Sequence, residues 1–299
     1  MKRNSFGMAD SEFCYSERSE ESQIQYLKAY KNILKGTNMI KLIVCDLDGT
    51  LLPKGQNEIS PEIVNLIKSA NEKGISFAVA SGRSYHELKR FFDGKGPDII
   101  FVPSDGAIVV YKEKTHLKKT MQPFAVRSMV NPVLQSENLG VVLSGKYISY
   151  IISKDKAFVQ DCFEKMHGHL MEIDDLSEIT EDICKISFYG EPKTTYGKKI
   201  LSGTFSGMTR LIYRNNGWTE FISSEAGKEK ALCCMTRNLK ISPDETVIIG
   251  DGMNDAEILK FTEKSFAVEG GHCDAIAAAK HMTGNVAETL NEIIRKGDI

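Results

Sequence analysis

The sequence predicts an α/β fold, a parallel sheet with helices on its faces and an α+β segment inserted into it. Three observations carry the prediction. Short apolar runs at Ile40–Cys45, Ile75–Ala80, Asp98–Val102 and Thr246–Gly250 each lead into polar, turn-forming residues. Short apolar runs of this kind suit parallel strands covered on both faces. Helical patterns alternate with the runs, as right-handed βαβ units require. Between about Pro123 and Gly217 this rhythm lapses, then resumes, as expected where a second domain interrupts a core.

Residues 1–38 are polar and charged, with a short amphipathic helix expected over Gln25–Leu34 and otherwise little to bury. Met39 stands directly before the first strand, so 1–38 reads as a dispensable extension; a chain starting at Met39 that failed to fold would refute this. After the first strand, Ser60-Pro61 marks a helix start, with Ser as N-cap and Pro at the first helical position. That helix, Pro61–Lys73, sets Ile63, Val64, Leu66, Ile67 and Ala70 on one face and stops at Gly74. The second strand runs into Ser81-Gly82-Arg83-Ser84 and a helix over His86–Phe92, and the third into Asp105-Gly106-Ala107. Ile108–Tyr111 and Leu117–Met121 are expected to form a hairpin.

The inserted segment, 123–217, has helices expected at Phe124–Gln135 and Lys156–His167. Its strands fall at Val141–Leu143, Tyr147–Ile152, Ile183–Tyr189 and Thr209–Tyr213. The core, 39–122 and 218–299, is expected to resume with a strand at Glu220–Ile222 and a helix over Glu229–Asn238. Strands at Thr246–Gly250, Phe266–Val268 and His281–Thr283 follow, with helices at Cys273–Ala279 and Val286–Arg295.

The 299 residues allow two domains, and 41% hydrophobic with 26% charged content is ordinary for a globular chain. A net charge of -2 offers no electrostatic attraction to nucleic acid or anionic membrane. No apolar run reaches the roughly 18–20 residues of a membrane span, and no apolar stretch follows Met1 as in a secretory signal. The expected location is cytoplasmic. Seven cysteines without a Cys-x-x-Cys fit reduced packing residues better than a disulfide or zinc framework. His167-Gly-His169 lacks a nearby third ligand and reads as an ordinary histidine pair.

Three of the strands end in groups suited to phosphate or metal chemistry: Asp46 and Asp48, Ser81-Gly82, and Asp251 with Asn254 and Asp255. In extended chain, Asp46 and Asp48 share one side, roughly 6.5–7 Å apart. Taken singly, each is also compatible with a bland role: an Asx turn, a helix cap, an exposed lysine at Lys228. Taken together they repeat one kind of chemistry at the ligand-binding end of an open sheet. The physical sense is phosphoryl transfer. Asp46 and Asp251 are hard ligands for Mg²⁺, Asp46 a nucleophile, and Asp48 a proton donor and acceptor. Ser81, backbone N–H groups and Lys228 would hold the phosphate oxygens.

Asp46-Leu-Asp48-Gly49-Thr50-Leu51-Leu52, Ser81-Gly82-Arg83, Lys228 and Gly250-Asp251-Gly252-Met253-Asn254-Asp255 resemble, in order, the four motifs of the haloacid dehalogenase superfamily. More narrowly, the chain resembles the Cof-type subfamily, class IIB, whose α+β cap is inserted between the second and third motifs. The resemblance implies a Rossmann-like core and Mg²⁺-dependent hydrolysis of small phosphate monoesters, sugar phosphates among them, through an aspartyl-phosphate. By position it implies Asp46 as nucleophile and metal ligand, Asp48 as acid/base with its main-chain carbonyl on the metal, and Asp251 as the remaining metal ligand. Ser81, Gly82 and Lys228 would bind phosphate, Asn254 substrate or phosphate, and Asp255 would support the ligands from behind. Two departures stand out: Asp105-Gly106-Ala107 where the group often has Asn-Gly-Ala, and Glu229 where a glycine often follows the lysine. A phosphomutase of the superfamily is the competing enzyme, and a non-catalytic homologue is disfavoured because Asp46, Asp48, Lys228 and Asp251 are all present. Periodicity does not pick out which cap side chains, near Tyr147, Lys185 or Arg210, line the site. The substrate and the oligomeric state are not legible.

Overall fold

The computed structural model of the chain describes residues 39–134, 139–166, 169–190, 205, 207–215 and 217–298. The extension 1–38 with its expected helix, Cys14, Gln135 and His167 lie outside the described residues. In chain order the strands are β1 (Leu42–Asp46), β2 (Ser76–Ala80), β3 (Ile99–Val102), β4 (Ile108–Tyr111), β5 (Lys114–Lys118), β6 (Gly140–Ser144) and β7 (Ser149–Ser153). They continue with β8 (Leu170–Glu172), β9 (Lys185–Tyr189), β10 (Thr209–Asn215), β11 (Trp218–Ser223), β12 (Thr246–Gly250), β13 (Ser265–Val268) and β14 (His281–Thr283). The described chain divides into two compact units, one of residues 39–79, 96–99 and 232–298, the other of 80–95 and 100–231.

The first sheet runs β14-β13-β12-β1-β2-β3-β4-β5. Its β1–β12, β12–β13 and β13–β14 pairings are parallel, with every residue of β1 and β12 buried. That is why both strands read as largely apolar runs. After β1 the chain builds strands to one side, and later returns to build β12, β13 and β14 on the other. The order reverses between β1 and β12, the place where open α/β sheets hold their ligands. In the first unit, helix Pro61–Glu72 starts as its sequence predicts, Ser60 Oγ accepting from Ile63 N at 3.3 Å and Pro61 opening the first turn. It buries Ile63, Val64, Ile67 and Ala70 and packs on helix Val286–Lys296, which Asn285 caps and Gly297 ends in the left-handed region.

The second sheet, in the second unit, runs β10-β11-β9-β6-β7-β8 and is antiparallel except for β7–β8. Val141, Leu143, Tyr150, Ile152, Ile186, Phe188 and Phe221 form one face, packed with Val126, Met129 and Val130 of helix Pro123–Leu134. On the opposite face Val142 and Ile151 pack with Phe158, Val159 and Cys162 of helix Lys156–Met166. By strand alternation Ser144, Lys185, Ser187 and Glu220 share that second face.

Several expectations shift. The strand at Glu220–Ile222, read as the start of the returning core, is part of β11, which pairs with β9 and β10 in the second sheet. The boundary expected at 217 therefore moves beyond Ser223, because β11 hydrogen-bonds to strands of the insert. Residues 80–95 and 100–122, expected within the core, group with the second unit. The hairpin partner of β4 is Lys114–Lys118 rather than Leu117–Met121. Lys112 and Glu113 turn the chain with φ of 48° and 64°, a two-residue loop with both residues left-handed and no Asn or Gly to announce it. Two of the five residues of β5 are lysines at a sheet edge, where charge discourages further pairing. The short β8 has too little apolar patterning to be read at all.

Candidate active site

The site grows from the carboxyl ends of β1 and β12. Their parallel register sets Cys45 beside Ile249, so Asp46 and Gly250-Asp251 leave the sheet together. Ligand oxygens of Asp46, Asp251 and Asp255 lie within 4.8 Å of one another, with Asp46 and Asp255 buried and Asp251 half-buried. Three carboxylates this close repel one another unless a cation or a proton intervenes. They are hard oxygen donors, and their chemistry fits a divalent ion such as Mg²⁺. Burial, with Asp46 and Asp255 adding to it, pushes the neighbouring Cys45 thiol well above its ordinary pKa.

Backbone detail holds the group. Asp255 Oδ2 accepts from Asp251 N at 3.1 Å and Gly252 N at 2.9 Å, pinning the turn after β12. A side chain at Gly250 would put its Cβ 2.7 Å from Asp255 Cγ, so only glycine lets the carboxylate sit there. Thr50 Oγ1 donates to Asp251 Oδ1 at 2.9 Å, linking the two aspartate motifs across the sheet. His272 N donates to the Asp251 carbonyl at 2.7 Å.

Asp48 departs from the extended-strand expectation. β1 ends at Asp46, and Thr50 N and Leu52 N both donate to the Leu47 carbonyl, coiling the chain back on itself. Asp48 is exposed where Asp46 is buried, and its side chain is outside the three-carboxylate group. Asn254 is half-buried in the turn between Gly252 and Asp255.

Ser81, Gly82 and Lys228 belong to the second unit. Ser81 is buried; its N–H donates to the Val102 carbonyl at 3.0 Å and its Oγ accepts from Arg83 N at 3.2 Å. Lys228 is buried and opens helix Lys228–Leu239. A Cβ at Gly106 would lie 2.7 Å from Lys228 N, so the Asp105-Gly106 turn packs directly under that helix start. Thus the structure gathers Asp46, Asp251 and Asp255 in the first unit, and Ser81-Gly82, Asp105-Gly106 and Lys228 around one turn in the second.

Both departures from the motif pattern have partners. Glu229 is held bidentately by Arg210, Nη1 to Oε1 at 2.5 Å and Nη2 to Oε2 at 3.2 Å. Asp105 faces Lys185, whose Nζ lies 3.9 Å from Asp105 Oδ2 and 3.3 Å from Glu220 and donates to the Gly82 carbonyl at 2.6 Å. Burial works against the Lys185 charge, yet Glu220 and then Asp105 raise its pKa. Periodicity could not pick out Lys185 or Arg210 or show these partners, because pairings across 103 and 19 residues leave no local pattern. Sequence reasoning gave Thr50 no role, although the residue stands inside the quoted motif.

Among the described residues no disulfide forms; Cys45, Cys162 and Cys184 are buried, Cys233 and Cys234 half-buried, and Cys273 exposed, so Cys273 is not the packing residue expected. The His169 ring meets the His86 ring at a tilt of 30° with centroids 4.4 Å apart, and neither is in a cluster of potential metal ligands among the described residues. Tyr147 is exposed and meets the Tyr85 ring edge-on at 5.9 Å. No helix among the described residues is long and apolar enough to cross a membrane.

A family model for haloacid dehalogenase-like hydrolases matches residues 43–290. The 5-amino-6-(5-phospho-D-ribitylamino)uracil phosphatase YbjI of Escherichia coli (strain K12) is 26% identical over 259 residues, 86% of this chain and 96% of that protein. A haloacid dehalogenase-like hydrolase from Bacteroides thetaiotaomicron superposes with a TM-score of 0.75 at 21% identity, over 85% of this chain and 99% of that one. The subclass IIB sugar phosphatase BT4131 does so with a TM-score of 0.70 at 17% identity, over 87% and 100%. Members of this family that act as phosphatases generally use a metal ion, and the Asp46, Asp251 and Asp255 group has the donors for one. With the matched span covering both aspartate motifs and everything between them, this chain belongs to the haloacid dehalogenase-like hydrolase family.

Proposed function

We propose that this protein is a Mg²⁺-dependent phosphatase that hydrolyses small phosphate monoesters through an aspartyl-phosphate on Asp46. The observation that carries the reading is the group of Asp46, Asp251 and Asp255 at the switch point between β1 and β12. Asp46 and Asp251, with the Asp48 main-chain carbonyl, would hold the ion, which neutralises phosphate charge so that an anion can approach it. Asp255 keeps the Asp251 turn in place through its two N–H contacts.

In the first half-reaction an Asp46 carboxylate oxygen bonds to phosphorus as the ester oxygen leaves, taking a proton from Asp48. In the second, Asp48 accepts a proton from water, which attacks the acyl phosphate, releases orthophosphate and restores Asp46. Ser81, the Gly82 N–H, Lys228 and Asn254 are the groups for the phosphate oxygens, whose charge grows in the transition state. The substrate we infer is a small hydroxylated metabolite, in keeping with the ribityl phosphate named for the Escherichia coli relative.

The test is hydrolysis of an aryl phosphate and of a panel of polyol and sugar phosphates, with and without Mg²⁺, by the native protein and by Asp46→Asn. Orthophosphate release that needs Mg²⁺ and disappears in Asp46→Asn is expected. Full activity in Asp46→Asn would overturn the mechanism. Transfer of the phosphoryl group to another substrate hydroxyl, with no orthophosphate, would make the protein a phosphomutase.

A further inference from the structure

A lysine of the second sheet is wired to the turn that carries Ser81. Lys185, in β9, is 8% exposed and donates to the Gly82 carbonyl at 2.6 Å. The same ammonium faces Asp105, at 3.9 Å, and Glu220, at 3.3 Å. Asp105 reaches the turn by its backbone too, its N–H donating to the Ser81 carbonyl at 3.0 Å, while Ser104 N donates to the Arg83 carbonyl at 2.7 Å. Its carboxylate lies so close that a Cβ on Gly82 would be 3.1 Å from Asp105 Oδ2. Ser104 and Asp105 achieve this with φ of 50° and 53°, a left-handed conformation unfavourable for non-glycine residues. Strain of this kind persists only where surrounding contacts overdetermine it.

The charge arrangement poses a physical problem. A buried carboxylate beside the Ser81 hydroxyl and the Gly82 N–H repels any anion that those groups would bind. We infer that Lys185 is a positioning residue for phosphate binding, which neutralises Asp105 and fixes the Gly82 peptide so that the Ser81-Gly82 turn can accept a phosphate. Glu220 serves differently: it accepts from Lys185 at 3.3 Å and from Ser187 Oγ at 2.8 Å. The inference rests on the phosphatase reading for the identity of the anion.

The experiment compares Lys185→Met, Lys185→Met with Asp105→Asn, and Lys185→Met with Glu220→Gln. Two quantities are read for each: KM and kcat on an aryl phosphate, and the affinity for inorganic phosphate by calorimetry, which needs no turnover. Lys185→Met is expected to raise KM and weaken phosphate binding about tenfold, equal to roughly 1.4 kcal/mol, with kcat less affected. Removing the Asp105 charge should restore phosphate affinity, and removing the Glu220 charge should not. Should Lys185→Met fail to fold, the two double variants still decide. Equal rescue by both would assign Lys185 a structural role only and overturn the inference, as would unchanged affinity in Lys185→Met or no binding of phosphate by the native protein. Native protein that binds phosphate but does not hydrolyse esters would instead refute the phosphatase reading and leave this comparison intact.

Discussion

Gly49 and Asp251 approach so closely that a Cβ on the glycine would stand 2.6 Å from Asp251 Cγ, well inside ordinary contact distance. Gly49 also has φ of +86°, which a side chain disfavours. The glycine after the first aspartate motif therefore serves the second: its missing side chain is the space that Asp251 occupies. Gly49→Ala should move Asp251 and lower kcat/KM about 100-fold, with a stability loss of about 1 kcal/mol from the left-handed backbone. Steady-state kinetics and a thermal melt check both, and native-like kinetics would sink the argument.

Thr50 holds the other Asp251 oxygen at 2.9 Å from a buried position. Thr50→Val keeps the shape and deletes the hydrogen bond. The Mg²⁺ concentration for half-maximal activity should rise about tenfold, the usual scale for losing a group that orients a metal ligand, with activity recovered at saturating metal. A metal titration of both proteins measures it.

Arg210 and Glu229 form a two-pronged pair next to Lys228. Arg210 is more than a third exposed, so solvent weakens the interaction. A double-mutant cycle of Arg210→Ala and Glu229→Ala, read on KM for an aryl phosphate, should give a coupling of about 0.5–1 kcal/mol. The Arg210 single variant should have the higher KM, since it leaves Glu229 unneutralised beside the lysine. Additive effects would show that the pair does not act on binding.

His86 supplies a pH dependence away from the carboxylates. Burial lowers its imidazole from 6.5 to about 4, with Glu87 opposing and His169 adding to the shift. The unfolded chain thus takes up a proton that the native state refuses. Stability should be complete above about pH 6.5 and fall as pH drops from there toward about 4. His86→Phe should flatten that part of the profile, which urea midpoints at pH 7 and pH 5 would register. An unchanged slope would place the acid sensitivity elsewhere.

Legibility in the sequence followed the range of the interaction. Helix Pro61–Glu72 was predictable because Ser60 and Pro61 act within one turn, and β12 because the apolar run Val247–Ile249 must be buried. The hairpin at Lys112-Glu113 was misplaced because no glycine or asparagine marks its left-handed residues. β11 was assigned to the wrong sheet because an amphipathic strand carries no label for its partner; only hydrogen bonding to β9 and β10 settles that.

By itself the sequence determined the α/β class and the order of the aspartate, serine and lysine motifs, since these rest on short-range patterning and residue chemistry. Tertiary structure decided which carboxylates meet. Asp46, Asp251 and Asp255 converge because β12 returns beside β1 after some 200 residues of intervening chain, while Asp48, two residues from Asp46, is exposed and outside that group. It likewise decided that Lys185 meets Asp105 and Arg210 meets Glu229. Charge pairs across a fold are set by where strands are laid down, and nothing in either residue's neighbours along the chain encodes that place.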